Sequence, residues 1–568
     1  MQQKKIRLSS LRFVCIVLIV VGVALRFTNL DTKVYWHDEV YTVFRAAGYT
    51  RMEIDQALFQ NRLLPAAELL KFEEIKPGST PVDTVRSLAV EDPQHPPLYF
   101  LATRFWMQVF GNSIAAVRSL PALLSLLGLP LMYLLAIELF ESPIAAWIST
   151  VLLALSPFDI LFAQTARQYS LLTAVTILSS WLLLRAMRIR HWRSWVWFGL
   201  SCAMGLYTHP FFALGTLAQG VYVLLMSVGE VRSKRTSQAI TSQAITSQAI
   251  KGWLGLSLVG FLGAIALALF LYLPWIGVLL GNSGRAFATT NWTKVSPGFL
   301  YLLKLWMLSF TSLFFDLDFG FDNPVTYFVR LPIVFMIGLA FYRTIQHTSR
   351  STGLFLLTSA FIPFLVLALP DVILGGKRSA VSRYLISCFP AVQLAVGFWL
   401  SLQVQNLRSI WQKGAIALLL AGSLISVSIS AGAESWWNRD LSYFNAETAR
   451  RMNGFTTPIV ISDIGDDFTN TGDLISLSHR LNPDVQYLLF GSSPDLTMIP
   501  PSGTPPVLAF RPTEALQKQL EQEGWTLERV FDQERLLQVS KSAITSATFK
   551  KSEVTNAAIF GTDGAVGH

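Results

Sequence analysis

The feature that most limits this chain is a series of eleven apolar stretches, at roughly 13–25, 119–140, 143–162, 169–187, 195–208, 210–228, 252–276, 324–342, 351–369, 382–402 and 413–432. A helix needs about 20 mostly apolar residues to cross the hydrocarbon core of a bilayer. These runs predict a polytopic α-helical membrane protein of about eleven transmembrane helices. Charged residues make up 14% of the chain, against roughly 25% in a soluble domain. The net charge of +9 suggests a nucleic-acid partner only until its distribution is considered. Arg and Lys gather in short loops between apolar runs, the positive-inside pattern of membrane topology, so no nucleic acid is expected. Cys15, Cys202 and Cys388 lie inside apolar runs, which leaves no disulfide framework and no redox motif.

Charge also sets the expected orientation. The loop Arg185–Arg193 carries four Arg and a His, and the loop 229–251 carries Arg232, Lys234, Arg235 and Lys251. Both are expected on the cytoplasmic side, as is the N-terminus with Lys4, Lys5, Arg7 and Arg12. No small-residue cleavage site follows the first run, so it reads as a retained span. The segment 29–96 has eleven acids against seven bases and belongs on the opposite face. Those assignments agree only if two shorter apolar runs, 97–110 and 299–315, do not cross but lie at the interface.

The chain therefore divides into a transmembrane region spanning 1–432, with a long outer loop at 29–118, and a distinct segment beyond it. In 433–542, "TPIVISDIGDD", "VQYLLF" and "PPVLAF" read as short strands, 513–523 as an amphipathic helix, and "LERVFDQERLLQVSK" as a closing hairpin. This predicts a small extracytoplasmic α/β domain. The polar tail 543–568 is expected to be disordered. "TSQAI" occurs three times in tandem at 236–250, the mark of a tolerated loop expansion.

Polar residues collect at the expected outer surface. They are Asp38 and Glu39 in "YWHDEVYTV", His95 in "DPQHPPLYF", Arg118, Arg167 and Tyr169 in "ARQYS", His209 in "YTHPFF", and Lys377, Arg378, Arg383 and Tyr384 in "GGKRSAVSRYL". A carboxylate within reach of a hydroxyl can act as a general base. The plainer reading of Asp38-Glu39 is a helix start, where acids suit the dipole. Several Arg on one face can draw a phosphate to the membrane surface, although a single interfacial Arg more often snorkels to headgroups. His95 and His209 each precede a Pro, where a helix-entry role is the commoner one. No spacing matches a dedicated metal site, so no metal ligand is assigned.

In this order, "WHDEVYTV", "HPPLYFLATRFWMQVFGNSIAAVRSLPALLSLL", "ARQYSLLTA", "YTHPFF" and "SRYL" resemble the membrane glycosyltransferases of the GT-C superfamily. The closest likeness is to glycosyltransferase family 39, the protein O-mannosyltransferase-like group that includes the aminoarabinose transferases of lipid A. It covers roughly residues 10–400 and is best over 10–230. The resemblance implies an inverting transfer of a sugar from a polyprenyl-phosphate-linked donor to a hydroxyl acceptor on protein, lipid or polysaccharide. It also implies residence in a bacterial inner membrane. Asp38 matches the acid that deprotonates the acceptor, with Glu39 beside it, and Arg118, Arg167 and the 377–383 cations would stabilise the departing polyprenyl phosphate. His95, Tyr169, His209 and Tyr384 would line the pocket. No cofactor is firmly implied, and a divalent metal ion stays open. The chain departs from the pattern at Gln94-His95, where many relatives carry Lys or Glu-Lys, and after "ARQYS", where many carry an acid. A secondary transporter and a lipid-linked-glycan flippase or ligase are the competing classes. Transporters tend to place polar residues at the membrane midplane within internal repeats, and neither feature is visible here.

Overall fold

Hydrophobic runs of bilayer length become helices because a helix alone satisfies its backbone internally. The computed structural model describes residues 8–238, 247–405, 410–466, 469–500 and 505–541. The middle of the TSQAI repeat and the tail 543–568 lie outside the described residues. Among the described residues, eight helices are long and apolar enough to cross a membrane, beginning with Ser9–Arg26 and ending with the stretch Gln412–Ser442. The bent pair Pro143–Leu155 and Pro157–Ala163, which turns by 55°, has the length and composition of a broken span or a re-entrant loop. Pro157 explains the bend, since it donates no hydrogen bond and pushes Ser156 out of the helical region. The Ser156 side chain restarts the helix by accepting from the Asp159 amide at 3.3 Å. Two further apolar runs form helices, the 17-residue Trp192–Thr208 and the shorter apolar stretch Phe212–Val228 of a longer helix.

The two runs assigned to the interface form helices of 13 residues each, Leu98–Phe110 and Phe299–Thr311. At 1.5 Å per residue these span about 20 Å, short of the ~30 Å core. The first buries Tyr99, Phe100, Arg104 and Met107, while Phe105, Val109 and Phe110 stay exposed.

The C-terminal strands fall where the sequence places them: β2 (Ile459–Ser462), β3 (Gln486–Leu489), β4 (Val507–Phe510), β5 (Trp525–Phe531) and β6 (Leu536–Lys541). The sheet has one more strand than 433–542 supplies. Residues Arg62–Pro65 of the first outer segment form β1 and pair antiparallel with β3, from Arg62 opposite Leu489 to Pro65 opposite Gln486. The sheet order is β1-β3-β2-β4-β6-β5, with β3, β2 and β4 parallel. One apolar core is shared by the two regions. Val40, Val43, Phe44, Ile54 and Leu58 from the outer segment pack with Leu474, Tyr487, Leu508 and Phe510 from the C-terminal unit.

Helix contacts in the membrane region are close. Gly397, in the helix Phe389–Gln405, lies so near Ser149 of Pro143–Leu155 that an added Cβ would stand 3.0 Å from the Ser149 Cα. Small residues allow such approach where lipid gives no hydrophobic drive to helix association. Gly397→Ala is expected to cost about 1–3 kcal/mol by overpacking, read as a lower thermal unfolding midpoint of the purified protein in detergent.

Candidate active site

The site grows from the N-terminus of one short helix, His37–Ala47. Its third residue, Glu39, reaches back to accept from the Trp36 amide at 3.0 Å. This fulfils the cap reading of the acidic pair, since the first turn leaves backbone donors unsatisfied. Glu39 does more than cap. It is fully buried and accepts from Arg118 Nε at 2.8 Å and Nη2 at 2.7 Å. It also accepts from the Ala166 amide at 2.6 Å and from Arg439 Nη1. Burial would raise its pKa, but Arg118 and Arg439 outweigh burial and hold it at about 2. Arg118 spends its remaining donors on the carbonyls of Leu30, Lys33 and Val34, at 2.7, 3.0 and 2.8 Å. Neither residue has a polar atom left over for a substrate. Arg118, expected to meet a phosphate, instead secures the chain entering the site helix, and Glu39 is an anchor.

Asp38 points elsewhere. Its side chain is 26% exposed, and its Oδ2 stands 4.0 Å from Arg167 Nη2 and 4.0 Å from Arg383 Nη2. Those distances are too long for hydrogen bonds, so two guanidiniums face the carboxylate without engaging it. Burial raises the Asp38 pKa, but Arg167 and Arg383 leave it below the usual carboxylate value. Arg167 is fixed by donating from Nη1 to the Asp38 carbonyl at 3.1 Å and to Thr42 Oγ1 at 2.9 Å. Its Nη2 lies 3.0 Å from His95 Nε2. Arginine can only donate, so Nε2 accepts and the ring proton sits on Nδ1, 3.1 Å from Asp92 Oδ1.

The aromatic residues named from the sequence close round this group. The His209 ring lies 6.3 Å from His95, 6.2 Å from Tyr169 and 6.5 Å from Tyr384. Arg383 lies over Trp36 at 5.2 Å, Tyr384 at 5.7 Å and Trp292 at 5.9 Å. Lys377 joins from the side, its Nζ 5.3 Å from the Trp292 ring centre. Arg378 is half-buried, and no contact among the described residues joins it to Asp38. Asp38, His95, Arg167, Tyr169, His209, Arg383 and Tyr384 thus converge, Lys377 borders them, and Arg378 stands apart.

Sequence reasoning missed the segment that follows the last apolar run, "SWWNRDLSYF". Arg439 pairs with Glu39, Asp440 pairs with Arg383 at 3.2 Å, and Ser442 Oγ accepts from the His37 amide at 2.9 Å. Ser442 passes the link on to Asp473 Oδ1 at 2.6 Å, and Arg511 Nη1 holds Asp473 Oδ2 at 2.6 Å. Gly472 lets its helix, Asn470–Ser478, approach the site helix, because a Cβ there would meet His37 Nδ1 at 2.6 Å. The available signal was two Trp and an Arg-Asp pair placed directly at a span end. Among the described residues, no group of three or more His, Cys, Asp and Glu is placed to hold a metal ion. The guanidiniums flanking Asp38 also oppose a cation there.

Residues 94–246 match the family model for dolichyl-phosphate-mannose-protein mannosyltransferase. No curated protein matches the sequence. The fold is similar to that of ArnT from Cupriavidus metallidurans in the apo state, with 14% identity and a TM-score of 0.50, covering 92% of this chain and 97% of that one. The same ArnT bound to undecaprenyl phosphate gives 14% identity and a TM-score of 0.49, covering 94% and 99%. The apo oligosaccharyltransferase of Archaeoglobus fulgidus gives 15% identity and a TM-score of 0.44, covering 84% and 64%. The fold is thus similar to that of ArnT over most of both chains. The family match is to residues 94–246, and the likeness of fold extends beyond them on both sides.

The Glu39 cluster carries a pH signature. A carboxylate whose folded pKa is depressed stabilises the fold above its unfolded pKa and loses that contribution as pH falls through the folded value. For Glu39 the window runs from 4.5 down to about 2, and the contribution is about 3 kcal/mol. Glu39→Gln is expected to lower stability at neutral pH and to flatten acid unfolding in this window, measured by pH-dependent thermal unfolding.

Proposed function

We propose that this chain is an inverting glycosyltransferase that moves a sugar from a polyprenyl-phosphate-linked donor to a hydroxyl acceptor at the outer face of the membrane. The observation that carries the reading is the isolation of Asp38: a partly exposed carboxylate, ionised, and faced at 4.0 Å by Arg167 and Arg383. A carboxylate free of hydrogen bonds from its neighbours can accept one from an incoming hydroxyl. Two fixed guanidiniums beside it suit a phosphate, which they bind by paired charge-assisted hydrogen bonds.

In this reading the acceptor hydroxyl donates to Asp38 while its oxygen attacks the anomeric carbon. The bond from that carbon to the phosphate oxygen breaks on the opposite face, inverting the configuration, and the electron pair leaves with the polyprenyl phosphate. Arg167, Arg383 and Lys377 stabilise the charge that develops there, and the proton moves to Asp38. The same cations explain a sequence of events. They hold the Asp38 pKa down in the free enzyme, so a donor phosphate that engages them raises the basicity of Asp38 as it binds. Glu39 and Arg118 act through position alone.

The family match to mannosyltransferases supports a lipid-phosphate sugar donor, and the ArnT of similar fold has been solved with undecaprenyl phosphate. The acceptor is a hydroxyl on protein, lipid or polysaccharide. The placement of Arg and Lys supports an inner-membrane protein with a cytoplasmic N-terminus. In this reading 433–542 lies outside the cell membrane, against the outer segment 29–118 of the transmembrane region (residues 1–432), with the site where the two meet.

Asp38→Asn is expected to reduce sugar transfer in proteoliposomes by about 10²–10⁴-fold, the usual contribution of a general base, while membrane insertion is retained. Full activity in that variant rules the mechanism out. Because Asp38 titrates below 3.8, its ionisation imposes no fall in kcat/KM between about pH 8 and pH 5, which a pH–rate profile checks.

A further inference from the structure

Asp440 is the second carboxylate of the site, and the reaction above makes no use of it. Its neighbour Arg439 is locked onto Glu39, so the backbone at 440 is held inside the site. There it takes φ 41° and ψ −115°, a left-handed setting that L side chains seldom adopt. Strain of this kind persists where surrounding contacts impose it, and it gathers at ligand sites. The Asp440 side chain is 57% exposed, and its only side-chain partner among the described residues is Arg383, at 3.2 Å through one oxygen. A single contact to a carboxylate this exposed adds little stability, so stability does not account for the strained backbone.

Two features give the position a ligand. Arg383 lies between the two carboxylates, one Nη facing Asp38 and the other bonded to Asp440. A group whose phosphate rests on Arg167 and Arg383 therefore extends within reach of Asp440. Trp292 lies on the same side, 42% exposed, with its ring flanked by Lys377 and Arg383. A carboxylate with a free oxygen accepts from neighbouring hydroxyls, and an exposed indole face packs against the C–H face of a sugar ring. We propose that Asp440 and Trp292 form the subsite for the transferred sugar, a ring bearing at least two adjacent hydroxyls, with Asp440 accepting from those hydroxyls and Trp292 covering the ring.

The proposal rests on the donor reading above, and its test separates the two. Full-length protein in nanodiscs is titrated with bare polyprenyl phosphate and with polyprenyl phosphates carrying a hexose or a pentose, and binding is followed by native mass spectrometry. The wild type is expected to prefer one sugar-bearing lipid over the bare phosphate. Asp440→Asn weakens that lipid by about tenfold, the loss of a charge-assisted contact, and leaves the bare phosphate within about twofold, which also shows that the variant is folded. Trp292→Ala behaves alike, and Trp292→Phe restores most of the affinity. If Asp440→Asn shifts both lipids together, Asp440 merely tunes Arg383 and the subsite is overturned. It is equally overturned if neither lipid shifts. A wild type that binds no polyprenyl phosphate at all overturns the donor reading, and this proposal with it.

Discussion

A carboxylate removed from water must be matched by charge and hydrogen bonds, or it is expelled or neutralised. Glu39 is matched four ways: by its own helix start at Trp36, by Arg118, by the Ala166 amide and by Arg439. Each partner arrives on a different stretch of the chain. The irregular stretch after the bent helix pair is tolerated because its backbone is buried in protein and hydrogen-bonded, as irregular backbone at such depth must be. Asp38 is the residue next to this knot, so its direction is set by it.

Adjacent carboxylates with opposite surroundings are a recurring way to divide labour between two like groups. Glu39 has no free oxygen, and Asp38 has no hydrogen bond to its carboxylate among the described residues. The same contrast runs through the cations. Arg118 is consumed by Glu39 and backbone carbonyls and Arg439 is turned onto Glu39 and Thr165, while Arg167 and Arg383 keep a face toward Asp38. Counting interfacial Arg residues therefore says little about phosphate affinity until each has been assigned its partners.

Bilayer thickness is a long-range constraint written locally, so the helical membrane class was legible from run lengths alone. The C-terminal strands were legible for a similar reason, as short apolar segments between turn residues. β1 was not, because "RLLP" is only four residues long and its partner β3 lies more than 400 positions on. At the site, the acidic pair read as a helix cap and Glu39 is one, but nothing local separates the two acids. The partners that do so, Arg118 and Arg439, stand 79 and 400 residues from Glu39. Arg383 and Tyr384 were visible in "SRYL", whereas Asp440 looked like the opening of a separate domain.

The span of 400 residues between Glu39 and Arg439 has a consequence in time. At about 5–20 residues per second of synthesis, the carboxylate is made tens of seconds before the guanidinium that completes its shell. β1 waits as long for β3. Through that interval the segment 29–118 is unfinished, with a charged group and a strand edge both unpaired. The site can form only when the last apolar helix and the chain beyond it have been made. Biogenesis thus ends at the active site, and any chain cut short of residue 439 is left without one.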